Sequence, residues 1–113
     1  METQSAIPAL ASLAQESRLA IFRTLVQAGH EGLPAGKVSE LTGIAPSSLS
    51  FHLKELAHAE MVSARQEGRF IIYTANFTTM NALIDFLTEN CCGGNSCLPV
   101  CAPGTTTLKE SSS

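Results

Sequence analysis

The stretch from Pro46 to Met61 constrains this chain most, because it has the pattern of one amphipathic helix with an unusual polar side. Leu49, Leu53 and Leu56 recur at the spacing that places side chains on one face of an α-helix. Pro46 suits the first helical position, where its missing N–H has no intrahelical partner to lose. A helix that buries one leucine face is therefore predicted to start at Pro46.

The other side of this helix carries short polar groups instead of the Glu and Lys residues that usually solvate a surface helix. These residues are Ser47, Ser48, Ser50, His52 and Lys54. Short hydroxyl side chains permit close approach, and serine can hydrogen-bond phosphates or base edges. The face favours entry into a DNA major groove, with a serine-rich solvated helix as the alternative. For His52, contact with DNA and support of the helix both stay open.

Shorter helices are predicted upstream, over residues 6–14, 17–28 and 35–42, with residues 30–34 as a connection. The third of these has Val38 and Leu41 on one face and ends at Gly43. A short helix, a turn containing glycine and a second helix with a polar outer face are typical of a helix-turn-helix. Lys37 on the first of the two helices is a candidate phosphate contact.

A β-hairpin is predicted directly after this pair of helices, from Met61 to Ala75. The residues after Gly68 are rich in β-branched and aromatic types, and Gly68 supplies the positive φ that a tight turn needs. Such a hairpin is the wing of a winged helix. Arg65 and Arg69 flank its tip and are candidates for phosphate or minor-groove contact, or else simple solvated charges.

The last predicted helix covers residues 78–90 and is apolar enough to require a partner surface. Met80, Leu83, Ile84 and Leu87 share one face, which Phe86 widens. The prediction is a mainly α winged helix-turn-helix with a small β-hairpin, forming a homodimer through its terminal helices. Its domains are residues 1–90 for DNA binding and dimerisation, 91–101 as a cysteine-rich segment, and 102–113 as a disordered tail.

Composition limits the function classes. The chain has 113 residues and a net charge of −3, so any nucleic-acid contact must come from locally grouped basic residues. No apolar run reaches membrane-spanning length, and no signal peptide is evident, so a cytoplasmic protein is expected. A glycine-rich phosphate loop and a Ser/His/Asp arrangement are both missing, so we expect no enzyme and no organic cofactor.

These segments together resemble the arsenic-responsive repressor family (ArsR/SmtB), whose members are dimeric winged-helix regulators. The resemblance runs from about residue 9 to residue 90. It rests on Leu13-Ala14-x-x-x-Arg18-Leu19-x-Ile21-Phe22-x-x-Leu25, on Leu41 followed by Ser48-x-Ser50-x-His52-Leu53-x-x-Leu56, and on Glu67-Gly68-Arg69 with Tyr73. It implies a repressor that leaves its operator DNA when an inducer binds.

The chain departs from the family pattern at three places. Many family members carry a sensory Cys-x-Cys near the start of the helix that reads DNA. No Cys-x-Cys stands near the start of the corresponding Pro46 helix here, so that sensory site is absent. The last helix has Asp85 and Glu89 but no His, so the zinc site of other relatives is absent too. Glu60 stands where the family tends to have Gly before the wing, so the bend there is expected to differ.

The cysteines suggest which inducer fits. All four lie between Cys91 and Cys101, and Leu87-Thr88-Glu89-Asn90-Cys91-Cys92 looks like the subgroup that senses arsenite through C-terminal cysteines. A pyramid of three thiolates suits trivalent arsenic, a soft centre. The predicted ligands for As(III), with Sb(III) as a further candidate, are Cys91, Cys92 and Cys97. Cys101 is either a substitute for Cys97 or spare.

Other interpretations of the cysteines remain open. Zinc could be held by all four sulfurs, although adjacent cysteines seldom both bind one tetrahedral ion. Thiol oxidation could act as a switch, since four cysteines permit three pairings. An inert cysteine-rich tail and a thiol-dependent arsenate reductase complete the alternatives, but a reductase would need an anion-binding loop around its catalytic cysteine.

Overall fold

The computed structural model describes residues 1–94 of the 113-residue chain. Helices and one small antiparallel sheet make up this part of the protein. The helices are α1 (Thr3–Leu13), α2 (Glu16–Ala28), α3 (Ala35–Thr42), α4 (Pro46–His58) and α5 (Phe77–Leu87). The strands are β1 (Leu33–Pro34), β2 (Val62–Glu67) and β3 (Phe70–Ala75). The predicted mainly helical fold with a β-hairpin is confirmed.

The helix-turn-helix has the predicted bounds at α3 and at the start of α4. Gly43 ends α3 in the left-handed conformation, with φ 75°, and donates its N–H to the Ser39 carbonyl. The Ser39 hydroxyl then donates to the carbonyl of Ile44 at 2.6 Å, which fixes the turn. Pro46 occupies the start of α4, as its missing N–H predicts.

Helix α4 ends at His58 rather than at Met61, and the chain then turns through Glu60 with φ 63°. The Met61 N–H donates to the Leu56 carbonyl at 2.9 Å, and the Glu60 N–H donates to the Ala57 carbonyl at 3.0 Å. These are the two hydrogen bonds of a Schellman motif, whose left-handed position usually holds Gly. The expectation of a different bend at Glu60 is therefore wrong, because Glu itself adopts the positive φ.

The sheet has the order β1-β3-β2, so the hairpin carries a third strand that the sequence did not indicate. In β1, Leu33 pairs with Tyr73 and Pro34 with Ile72, in a segment predicted to be only a connection. Gly32 precedes this strand with φ 72°, and a Cβ there would lie 2.5 Å from the Tyr73 carbonyl oxygen. Only glycine permits this close approach of the two backbones.

One hydrophobic core joins the helices to the base of the hairpin. Its largest fully buried side chains are Ile21, Leu25, Val38, Leu49, Leu53, Leu56 and Met61. Leu41, predicted to share an apolar face with Val38, is instead 56% exposed, and Leu19 on α2 is 43% exposed. Within residues 1–94, no helix is both long and apolar enough to cross a membrane.

The outer helices meet the predictions with shifted ends. Helix α1 begins at Thr3 rather than Ala6, and α5 ends at Leu87 rather than Asn90. The two helices pack together and leave large aliphatic side chains exposed. These are Ile7 and Leu10 on α1, with Ile84 and Leu87 on α5. The predicted tail, residues 102–113, and most of the predicted cysteine-rich segment lie outside the described residues.

Candidate nucleic-acid interface

The outer face of α4 presents the short polar groups that its sequence predicts. Leu49, Leu53 and Leu56 are at most 2% exposed, which fixes the rotation of the helix on the core. The remaining sides of the helix therefore point away from the core. The exposed polar residues are Ser47, Ser48, Ser50 and Lys54. Their side chains make no hydrogen bond or ion pair with any residue in the described part of the chain, which leaves their polar atoms available to a ligand.

His52 differs from these residues because it is half-buried at the edge of the leucine face. Its Nδ1 lies 3.4 Å from Nη1 of Arg18. The Arg18 Nε in turn donates to the Ser12 carbonyl at 2.7 Å, at the end of α1. Arg18 therefore links the end of α1, the start of α2 and the middle of α4. Of the two roles left open for His52, this geometry favours support of the helix.

Phe51 is a residue of this face that the sequence reasoning missed. It lies outside the leucine stripe, and its side chain is 57% exposed. Its ring meets the His52 ring edge-on, with centroids 5.6 Å apart and an interplanar angle of 64°. The sequence did contain a signal for this exposed ring, because Phe51 is apolar but does not follow the spacing of the buried leucines. The outward face of α4 is thus hydroxyl-rich but has one aromatic ring in its middle.

The two wing arginines have different environments. Arg65 donates from Nη2 to the Glu31 carbonyl at 2.8 Å, and its Nε lies 2.6 Å from Oε2 of Glu67. It therefore ties β2 to the loop that precedes β1. Arg69 is exposed in the turn between β2 and β3. Across residues 1–94, no hydrogen bond or ion pair engages its side chain. Arg69 is the wing cation that is available to a phosphate.

Lys37 is exposed on α3 and lies 3.6 Å from the carboxylate of Glu40, one turn later. An exposed pair of this kind contributes little to stability and is readily exchanged for another partner. Lys37 therefore keeps its predicted role as a candidate phosphate contact. The assignment of DNA contacts to these residues stays a prediction.

Of the predicted arsenite ligands, the structure describes Cys91 and Cys92, whereas Cys97 and Cys101 lie outside the described residues. The sulfurs of Cys91 and Cys92 are 3.7 Å apart. Cys91 is engaged in a disulfide, and Cys92 carries a free, exposed thiol. Within residues 1–94, no three Cys, His, Asp or Glu side chains group as a metal site. Because only a thiolate is a ligand, these two sulfurs could share one soft centre only after Cys91 is reduced.

The backbone joins this cysteine pair to α5. The Cys91 N–H donates to the Thr88 carbonyl at 2.9 Å, and the Thr88 hydroxyl donates to the Ile84 carbonyl at 2.8 Å. Asn90 and Cys92 both have positive φ values, 56° and 55°, so the chain turns sharply after the helix. Hydrogen bonds therefore connect the cysteine pair to the last turn of α5.

Comparison with known proteins shows which proteins this chain is similar to. A family model described as a helix-turn-helix domain matches residues 13–63. The chain is 41% identical over 58 residues to YceK, an uncharacterized HTH-type transcriptional regulator of Bacillus subtilis. This alignment covers 51% of this chain and 57% of YceK. The alignment of the chain with the transcriptional repressor SdpR of the same bacterium covers 61% of SdpR. The chain thus spans less than two thirds of these curated relatives.

Solved structures match over more of the chain. HlyU from Vibrio cholerae is 31% identical, with a TM-score of 0.63, over 81% of this chain and 99% of that one. A second match is the homodimeric winged helix-turn-helix domain of Mb0332 from Mycobacterium bovis, described as a possible ArsR-family transcriptional regulator. Its TM-score is 0.61 at 22% identity, over 81% of this chain and 85% of that one. The relatives that carry functional names are transcriptional regulators, which agrees with the prediction that the chain is not an enzyme.

Proposed function

We propose that this chain, a winged helix-turn-helix transcriptional regulator of the ArsR/HlyU type, represses an arsenic-resistance operon until As(III) releases it from its operator. The observation that carries the DNA-binding part is the outer face of α4. Its exposed hydroxyls and Lys54 have no partners in residues 1–94, while its leucine face is buried. A helix mounted in this way can enter a major groove without losing intramolecular contacts.

The roles of the polar residues follow from their environments. Ser47, Ser48 and Ser50 reach base edges or backbone, and Lys54, Lys37 and Arg69 neutralise phosphates. His52 and Arg65 are given structural roles in this proposal, because their polar groups already bond within the protein. They hold α4 and the wing in position.

The operator-binding unit in this proposal is a homodimer formed by α1 and α5. Ile7, Leu10, Ile84 and Leu87 are each between 38% and 59% exposed on these adjacent helices. An exposed apolar surface formed by neighbouring elements is the usual mark of a protein interface. Two copies related by a two-fold axis would present two α4 helices to successive major grooves, about one helical turn apart.

The inducer in this proposal is trivalent arsenic, with Sb(III) as a second ligand, bound by Cys91, Cys92 and Cys97. The 3.7 Å separation of the first two sulfurs supports a shared ligand. Binding requires all three groups as thiolates, so the disulfide at Cys91 must first be reduced, as it would be in the cytoplasm. Cys101 serves as the third sulfur if Cys97 does not.

The Cys91–Thr88–Ile84 hydrogen bonds supply a route from the sulfurs to the dimer surface. A ligand that repositions Cys91 pulls on the last turn of α5, where Ile84 and Leu87 are exposed. Such a pull changes how the two protomers meet and therefore how far apart their α4 helices lie. By linkage, operator DNA must weaken arsenite binding by the same factor, typically worth about 1–3 kcal/mol.

The test is the affinity of reduced, full-length protein for the DNA upstream of its own gene, measured by fluorescence anisotropy with and without arsenite. Wild-type protein should bind, and arsenite should release it. Cys91→Ser and Cys92→Ser should bind DNA equally well but resist release. Of Cys97→Ser and Cys101→Ser, only the variant that lacks the third sulfur should resist release, and the other serves as its matched control. Normal release of both Cys91→Ser and Cys92→Ser would rule out this arsenite site.

A second candidate is a thiol-redox-responsive repressor, which the disulfide at Cys91 favours. Forming a disulfide removes two electrons and two protons from a pair of thiols, so this function needs a thiol oxidant. The same anisotropy assay separates the two. Release by a disulfide-forming oxidant, with no response to arsenite under reducing conditions, would favour redox sensing.

A further inference from the structure

A single aromatic ring stands in the middle of the outward face of α4. Phe51 follows Leu49 by two residues, roughly 200° around the helix, and so lies opposite the buried leucines. Its side chain is 57% exposed, while Leu49 is 1% exposed. Ser47 and Ser48 lie one turn before it and Lys54 one turn after it, so polar groups surround the ring.

The Phe51 ring contacts the ring of the next residue, His52. Its edge-on contact with the His52 ring, at 5.6 Å between centroids, is a favoured geometry for aromatic pairs. His52 is in turn held by Arg18, which is bonded to the Ser12 carbonyl. Contacts from α1 and α2 therefore reach the Phe51 ring through His52.

This part of the face is suited to base edges more than to the DNA backbone. Glu55, one turn after Phe51, is exposed and would repel a phosphate, whereas a carboxylate can accept a hydrogen bond from the amino group of cytosine. Among the groups that bases expose in a major groove, the 5-methyl group of thymine is the apolar one. It is the group that a lone exposed phenylalanine can bind favourably.

We propose that Phe51 packs against the 5-methyl group of a thymine and is a specificity-determining residue of this protein. The proposal rests on the proposed function, since it assumes that α4 enters a major groove. Burial of one methyl-sized group is worth about fourfold in affinity. A dimer that makes the contact in both half-sites would gain about 15-fold by the same estimate.

The test uses a DNA duplex that full-length wild-type protein selects from a random pool. The same duplex is then synthesised with deoxyuridine in place of every thymidine, which removes the methyl groups but keeps the base pairing. The ratio of the two dissociation constants should be about fourfold to 15-fold for wild type. It should fall to about one for Phe51→Ala, and remain above one for Phe51→Leu, which keeps an apolar side chain.

Lys54→Ala is the matched control, since it removes an exposed group one turn away on the same face. It should weaken binding to both duplexes and leave their ratio at the wild-type value. An equal ratio for wild type and Phe51→Ala, or a wild-type ratio of one, would overturn the proposal. A selected site without thymine would do the same.

Failure of the proposed function gives a different result. In that case no sequence would be enriched from the pool and no duplex would be bound above the non-specific level. Loss of the fold in Phe51→Ala would appear as a lower melting temperature, and Phe51→Gln, which is also expected to give a ratio of about one, then carries the test. A change in oligomeric state on Phe51→Ala, without any change in the duplex ratio, would assign the ring to a protein contact and refute the proposal.

Discussion

Replacing Glu60 by Gly should stabilise the protein, because Glu60 occupies a backbone position made for glycine. Its φ of 63° lies in the left-handed region, and both hydrogen bonds of the Schellman motif surround it. The motif itself is well made, since Leu56 and Met61, the residues that flank it on the core side, are fully buried. The backbone strain of Glu60 is therefore held in place by the packing around it.

The magnitude follows from two opposing effects. A residue with a Cβ loses about 1–2 kcal/mol in the left-handed conformation. Glycine removes that loss but raises the entropy of the unfolded chain, which costs about 0.4–1 kcal/mol. Glu60→Gly should thus raise the free energy of unfolding by about 0.5–1 kcal/mol, or the melting temperature by about 2–8 °C.

The assay is thermal unfolding followed by far-ultraviolet circular dichroism, at one protein concentration because any dimer makes the melting temperature concentration-dependent. Glu60→Ala is the control, since it removes the carboxylate but keeps the Cβ. It should change the stability by less than about 0.5 kcal/mol, because the side chain is exposed. Equal shifts for the two variants would refute the backbone argument.

Four further substitutions test other contacts. Gly32→Ala should lower the free energy of unfolding, measured by chemical denaturation, by about 2–4 kcal/mol. The added Cβ would meet the Tyr73 carbonyl oxygen, and φ at this position is positive. Wild-type stability of the variant would refute the close approach of the two backbones. Arg18→Ala should cost about 1–2 kcal/mol by the same measurement, and an unchanged value would mean that its bonds to Ser12 and His52 are not needed. Arg65→Ala should speed amide hydrogen exchange in β1 and β2 with little loss of DNA affinity. Arg69→Ala should weaken binding to every DNA sequence and lower the slope of log affinity against log salt concentration by about one. The opposite pattern would exchange the roles of the two arginines.

The helix-turn-helix and the hairpin were predictable because local signals define them. Gly43 and Pro46 mark the end of one helix and the start of the next, and the leucine spacing fixes which side of α4 is buried. Helix α5 starts at Phe77, one residue before the predicted start, because the Asn76 side chain accepts a hydrogen bond from the Thr79 N–H. That cap was visible in the sequence and was overlooked.

Long-range contacts account for the rest. Strand β1 has two residues and includes Pro34, so its existence depends on pairing with β3, far along the chain. The roles of His52 and Arg65 stay open in the sequence because their partners, Arg18 and the Glu31 carbonyl, are about 34 residues away. A sequence pattern identifies a polar group on a helix or hairpin, but it does not identify a distant partner.

The pairing of β1 with β3 has a mechanical consequence. Helix α3 starts immediately after Pro34, so the strand joins the wing directly to the first helix of the helix-turn-helix. Arg65 adds a second attachment between the wing and the loop before β1. The wing and α3 are therefore expected to move as one rigid body, with little freedom for the wing to bend alone. Induction would then have to rotate whole protomers against each other, and the shape that each one offers to its half-site would stay the same.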